Sequence, residues 1–205
     1  MALEKKNGSF KLGCVCSVGR KMASLTVAKL SLGDIHVSPK GGKSAPLLQD
    51  DGPIFAQLPA MGVLFEPKSF DGAESSRVSM CMRTSSETVS LLREIDQKVI
   101  SLAAASSVAL FGKELTSEQV TDRYVSSLKE GQYPLFRAKL NLAGTKKTRL
   151  WSKGQRCEPP EFWQGCTVTP IVHLKGLWLA KSEFGPVYDL VDVNLEQHVE
   201  ECPFR

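Results

Sequence analysis

The short signatures by which an active site usually announces itself are missing from this chain. There is no Walker A loop, no G-x-S-x-G, no H-E-x-x-H and no G-x-G-x-x-G. The three histidines, His36, His173 and His198, stand apart from one another. The six cysteines include no C-x-x-C, and the spacing of Cys157, Cys166 and His173 matches no structural zinc pattern. On a regular strand Asp189 and Asp192 point to opposite faces, so they cannot share a metal ion. No catalytic step, metal or cofactor is therefore expected. Long apolar runs are also lacking. Val99 to Phe111 contains three serines and falls short of the ~20 residues of a membrane span. No apolar h-region follows Met1-Ala2-Leu3-Glu4-Lys5-Lys6, so no secretory signal is visible. These absences lead to the expectation of an intracellular protein without membrane partners, in a nucleus or at a cytoplasmic replication site.

What is present is globular material. Apolar residues make up 42% and charged residues 23% of 205, a length suited to one domain. The formal net charge of +4 hides a segregation. Residues 131–181 hold nine Lys+Arg against two Asp+Glu, and residues 1–49 hold eight against two. Residues 50–130 and 182–205 are net acidic. Basic segments attract polyanions, and an acidic end repels or mimics them.

Periodicity divides the chain into a loose polar arm at 1–20, a folded domain at 21–195 and an acidic tail at 196–205. Leu25 to Leu30 and Asp34 to Val37 read as short strands, Pro39 to Ser44 as a flexible basic loop, and Pro53 to Phe65 as strand, turn, strand. Arg77 to Arg83 alternates, with Val78, Met80 and Met82 on the apolar face. Thr84-Ser85-Ser86-Glu87 reads as a capping box with Thr84 as N-cap, ahead of the helical stripe Leu92, Ile95, Val99, Leu102. A second capping box, Thr116 to Gln119, opens a helix expected to run to about Lys129. Period two returns in Pro134–Leu142, Thr148–Trp151, Thr167–Leu179 and Val187–Leu195, with a loop at 152–165. Val168, Val172, Leu174 and Trp178 are expected on the apolar side of the third of these, and His173 and Lys175 on the other. Strand runs around a two-helix insertion at about 84–130 predict a mainly β, OB-like antiparallel barrel (α+β).

All three tryptophans lie in the basic region, among Lys and Arg. Single-strand binders use that combination: cations track phosphates, and exposed rings stack bases at ~1–3 kcal/mol each. The candidate nucleic-acid contacts are Arg77, Arg83, Arg137, Lys139, Lys146, Lys147, Arg149 and Lys175 for phosphates. Tyr133, Trp151 and Trp163 are the candidates for bases. Phe136 and Trp178, on apolar faces, read as core.

Three motifs, in order along residues 20 to 195, carry a family resemblance. They are Gln57-Leu58-Pro59-Ala60-Met61-Gly62-Val63-Leu64-Phe65, Gly131-Gln132-Tyr133-Pro134-Leu135-Phe136-Arg137-Ala138-Lys139-Leu140, and Leu177-Trp178-Leu179-Ala180-Lys181-Ser182-Glu183-Phe184-Gly185. With these the chain resembles the single-stranded DNA-binding proteins of large nucleocytoplasmic DNA viruses, although Val63-Leu64-Phe65-Glu66-Pro67 replaces that family's Pro-Phe-Gly element. The resemblance implies an OB-like barrel and sequence-independent binding of single-stranded DNA in replication, recombination or repair. It also implies recruitment of replication proteins by the acidic tail through Phe204, and self-association on DNA. RNA is the alternative ligand. A structural or interaction protein of a virion or replication complex is the remaining alternative.

Overall fold

The computed structural model describes residues 25–39, 41–69 and 75–196. The expected N-terminal arm lies outside these residues, as does the acidic tail beyond Glu196. A 3-10 turn at Val27–Lys29 leads into β1 (Leu30–Leu32) and β2 (His36–Val37). Then come β3 (Lys43–Gln49), β4 (Gly52–Gln57), β5 (Met61–Val63) and β6 (Arg77–Arg83). The helices α1 (Ser86–Ala105), α2 (Ser107–Phe111) and α3 (Ser117–Thr121) follow. The chain ends in β7 (Leu128–Lys129), β8 (Leu135–Asn141), β9 (Arg149–Ser152), β10 (Gln155–Arg156), β11 (Thr167–Leu179) and β12 (Phe184–Glu196).

The sheet closes on itself. The strand order runs β11-β5-β6-β8-β12, and β12 pairs back onto β11 along almost its whole length. All of these pairings are antiparallel except β8 with β12. The fold is thus mainly β, an OB-like barrel with helices inserted between β6 and β8, as the periodicity predicts. Period-two alternation fills the interior with Val78, Met80 and Met82 of β6, Phe136, Ala138 and Leu140 of β8, Val172 and Leu174 of β11, and Tyr188 and Leu190 of β12. The apolar stripe of α1, Leu92, Ile95, Val99 and Ala103, joins the same buried cluster. Burying each such side chain contributes ~1.5–3 kcal/mol, so this shared core is what docks the helix to the barrel.

Local details differ from the sequence expectations where tertiary contacts override local signals. The N-cap of α1 is Ser85, whose hydroxyl accepts from the Thr88 N–H at 3.3 Å. Thr84 is held in the strand end instead, its N–H donating to the Pro134 carbonyl at 3.0 Å. The Thr116–Gln119 capping box forms as expected, but its helix stops at Thr121 rather than near Lys129. Beyond it the Tyr124 hydroxyl donates to Asp96 of α1, the Val125 N–H donates to the Phe184 carbonyl, and Leu128–Lys129 pair with β8. These sheet and side-chain partners outweigh the few tenths of a kcal/mol per residue that favour more helix. Leu25 to Leu30 is a 3-10 turn leading into a strand. Lys43 and Ser44, read as loop, belong to β3 and pair with both β2 and β11. The 152–165 loop contains the short hairpin β9–β10, which turns on Lys153 and Gly154, both with positive φ.

Candidate nucleic-acid interface

Two irregularities in the β11–β12 hairpin decide what faces outward. The register shifts between Leu174 and Gly176, where Lys175 is the extra residue. Gly176 takes φ 152°, and a Cβ there would lie 2.2 Å from the Ala45 carbonyl oxygen of β3. Past this bulge Leu177 and Leu179 are buried while Trp178 is half-buried, so the expected core position of Trp178 is corrected. A second shift leaves Val191 unpaired between Leu190 and Asp192. It returns Asp192 to the outward side that Asp189 already occupies, against the expectation of opposite faces. Each carboxylate takes an arginine: Arg77 Nη2 lies 2.5 Å from Asp189 Oδ1, and Arg149 Nη2 donates to Asp192 Oδ2.

Across the outer face the residues opposite one another read Phe55, His173, Asp189, Lys139, Ser79, a row over five strands. Phe55 and His173 stack with ring centroids 4.6 Å apart and planes at 23°. Lys139 Nζ donates to Ser79 Oγ at 2.7 Å. Burial, together with the nearby Arg77 and Arg137, holds the Lys139 ammonium below the usual lysine range, against the pull of Asp189. Beside this row opens a cavity of about 290 Å3. Its walls carry Lys146, Lys147, Arg149, Lys175, Asp189 and the Phe55–His173 pair. Among the described residues no hydrogen bond or ion pair holds Lys146 or Lys175, and Lys147 approaches Glu158 only at 3.8 Å. An anion entering here meets Lys146 and Lys175, which have no such partner among the described residues to release first.

The remaining expected residues fall into three places. Trp151 stands at the edge of this face, its Nε1 donating to Asp192 Oδ1 at 2.9 Å and Arg156 lying 5.0 Å over its ring. Arg83, Tyr133 and Arg137 gather at the far end of β6 and β8, where Arg83 lies 4.4 Å over the Tyr133 ring and Tyr133 is 52% exposed. Trp163 is only 6% exposed. Its N–H and that of Gln164 both donate to Glu66 Oε1, which folds the 162–166 turn inward, so it offers no ring face for stacking. The sequence reading missed Phe55, Asp189 and Asp192 as parts of the face. The alternation of Phe55 with the buried Ile54 was a usable signal; the bulge at Val191 left none.

Among the described residues no helix is long and apolar enough to cross a membrane, and no group of His, Cys, Asp and Glu is placed to hold a metal.

Comparison with known proteins gives a family and a set of structural likenesses. The model of DUF5871, a family of unknown function, matches residues 71–203. No curated protein matches the chain in sequence. Among solved structures, the single-stranded DNA-binding protein from bacteriophage Enc34 is similar over 86% of this chain and 93% of its own, at 13% identity and a TM-score of 0.47. The same phage protein in complex with single-stranded DNA is similar at 15% identity and 0.46, over 86% of this chain and 99% of its own. The single-stranded DNA-binding protein gp2.5 of bacteriophage T7 is similar over 70% of this chain and 86% of its own, at 9% and 0.47.

Proposed function

The chain belongs to DUF5871, a family of unknown function, and since that membership hands down no activity, we propose from the geometry that it binds single-stranded DNA without reading its sequence. The observation that carries this reading is the cavity wall: Lys146, Lys147, Arg149 and Lys175 surround a stacked ring pair on an open barrel face. Cations at that density neutralise backbone phosphates, and flat rings beside them take unstacked bases. Lys139 and Arg137 extend the basic track along β8 toward Tyr133 and Arg83, beside the Arg77–Asp189 ion pair. Trp151 supplies a further ring at the opposite edge, its plane set by Asp192. Binding involves no bond making or breaking. Its setting would be DNA replication, recombination or repair, and the resemblance to the proteins of large nucleocytoplasmic DNA viruses suggests a viral one. The acidic end, including Phe204, would recruit replication proteins, and neighbouring copies would associate along the strand.

Fluorescence anisotropy of the full chain with oligo-dT, duplex DNA and RNA at two salt concentrations tests this. Neutralising about four to six phosphates gives a slope of log K against log salt of about −3 to −4 for single strands. A flat slope, or no binding at ~50 mM salt, overturns the reading. Tighter binding of RNA than of oligo-dT would favour the alternative ligand, since stacking tolerates both sugars while a contact to the 2′-OH distinguishes them.

A further inference from the structure

We infer that the Phe55–His173 pair is a nucleobase subsite, and that it gives the groove its preference for unpaired strands over duplex; the inference rests on the single-strand reading above. Phe55 is a large apolar ring on the outward side of β4, whereas the core of the described residues takes Ile54 directly and Ala56 at its margin. The ring lies against an imidazole and beside lysines, in a cavity open to solvent. A phenyl group in such a place lies outside the buried core, on the wall of the groove. The next two residues of the cross-strand row are compatible with a bound base. His173 fixes the plane of Phe55 by stacking at 23°, and Asp189 on the other side of His173 is already matched by Arg77.

The cations cannot confer selectivity for single strands by themselves. Lys146, Lys147 and Lys175 attract phosphates of duplex and single strand alike, and counterion release per contact is if anything larger on the more densely charged duplex, about 0.9 against about 0.7. Stacking does discriminate. In a duplex both faces of each base are covered by neighbouring bases, so a ring in the groove gains a partner only from an unpaired nucleotide. A cavity of about 290 Å3 is of the size that holds one small planar ligand. Base and phosphate of one nucleotide can therefore be held together, the base on the ring pair and the phosphate among the lysines.

The test compares the full chain with F55L, H173L and F55W by anisotropy. The ligands, at one salt concentration, are oligo-dT, an abasic oligomer of equal length and duplex DNA. F55L is expected to weaken oligo-dT binding by about five- to a hundred-fold, the loss of one stacked base, and to leave the abasic and duplex ligands unchanged. H173L should act in the same direction and F55W should retain binding. Unchanged affinity of F55L for oligo-dT, or an equal loss on all three ligands, overturns the subsite while leaving the single-strand reading standing. Failure of the unaltered protein to bind any of the three overturns that reading instead. Should F55L fail to fold, photocrosslinking of the unaltered protein to a halouracil oligonucleotide decides: adducts at Phe55 or His173 are expected, and adducts only elsewhere overturn the inference.

Discussion

Strand β8 and the β11–β12 hairpin form the same barrel wall by different rules. Along β8 the alternation never breaks: Phe136, Ala138 and Leu140 point in, while Arg137 and Lys139 point away from the interior. The hairpin is twice interrupted, and each interruption moves a side chain from the face its number in the chain assigns to it. Trp178 leaves the core and Asp192 joins Asp189. A regular strand thus shows its function in its spacing. A bulged one hides it, because a one-residue slip exchanges the two faces.

The strongest way to break that comparison is to forbid the bulge. In Gly176→Ala the new methyl group would lie 2.2 Å from the Ala45 carbonyl oxygen, at a φ of 152° that side chains avoid. Either β3 leaves β11 or the hairpin straightens, and a loss of roughly 4 kcal/mol or more is expected in denaturant unfolding. The corresponding change on β8, Lys139→Ala, removes a half-buried outward side chain and should cost only ~1 kcal/mol. Equal costs would mean that the bulge is incidental.

Next in size is the contrast between two tryptophans. Trp163 is buried with its turn tied to Glu66, so Trp163→Ala should destabilise the fold by ~3–5 kcal/mol. Trp151 is half-buried at the edge of the groove, and Trp151→Ala should leave the melting temperature nearly unchanged while costing ~1–3 kcal/mol of oligo-dT binding. Melting and anisotropy of the two variants separate these outcomes, and the reverse pattern would exchange the roles of the rings.

What was legible follows the same division. Barrel class, the helical insertion, the α1 stripe and the basic face of β8 all came from uninterrupted periods. The end of α3 did not, because Tyr124 keeps helical spacing yet is drawn away by Asp96 and Phe184. Nor did the burial of Trp163, which depends on a carboxylate nearly a hundred residues earlier in the chain. Of the candidate site, the cations Lys146, Lys147, Arg149 and Lys175 were readable from charge and alternation. The stacked pair was not, since it needs β4 and β11 to be neighbours.

The insertion supplies a third test, in pH. Asp96 of α1 accepts hydrogen bonds from the Tyr124 and Ser126 hydroxyls. Burial raises its pKa above the ordinary carboxylate value of 3.8, with Glu130 adding to the shift, although the two hydroxyls pull the other way. A raised folded-state pKa means that the contribution to stability is complete below the unfolded value and is lost as pH rises through the folded one. Asp96→Asn, which mimics the protonated group, should therefore gain stability relative to the unaltered protein as pH rises above about 4. Asp96→Ala, which strands both hydroxyls, should lose ~1–3 kcal/mol at every pH. Parallel pH curves for the unaltered protein and Asp96→Asn would place the titration elsewhere.

The smallest effect sharpens the comparison most, because it asks which cations the groove can spend on phosphate. Among the described residues no carboxylate is bound to Arg137 or Lys139, whereas Arg77 is matched to Asp189 and Arg149 to Asp192, the aspartate that the Val191 bulge has brought outward. A cation already paired carries no net charge to attract counterions, so its loss together with its partner should release none. Replacing Arg137 and Lys139 by Gln should flatten the salt dependence of oligo-dT binding by roughly 1–1.5, from about 0.7 per phosphate contact on a single strand. Replacing Arg77 by Gln together with Asp189 by Asn removes one charge of each sign and should leave the slope unchanged. If the second pair of substitutions flattens the slope by ~0.7, Asp189 yields Arg77 to the strand in the complex, and the hairpin contributes phosphate contacts on the same footing as β8.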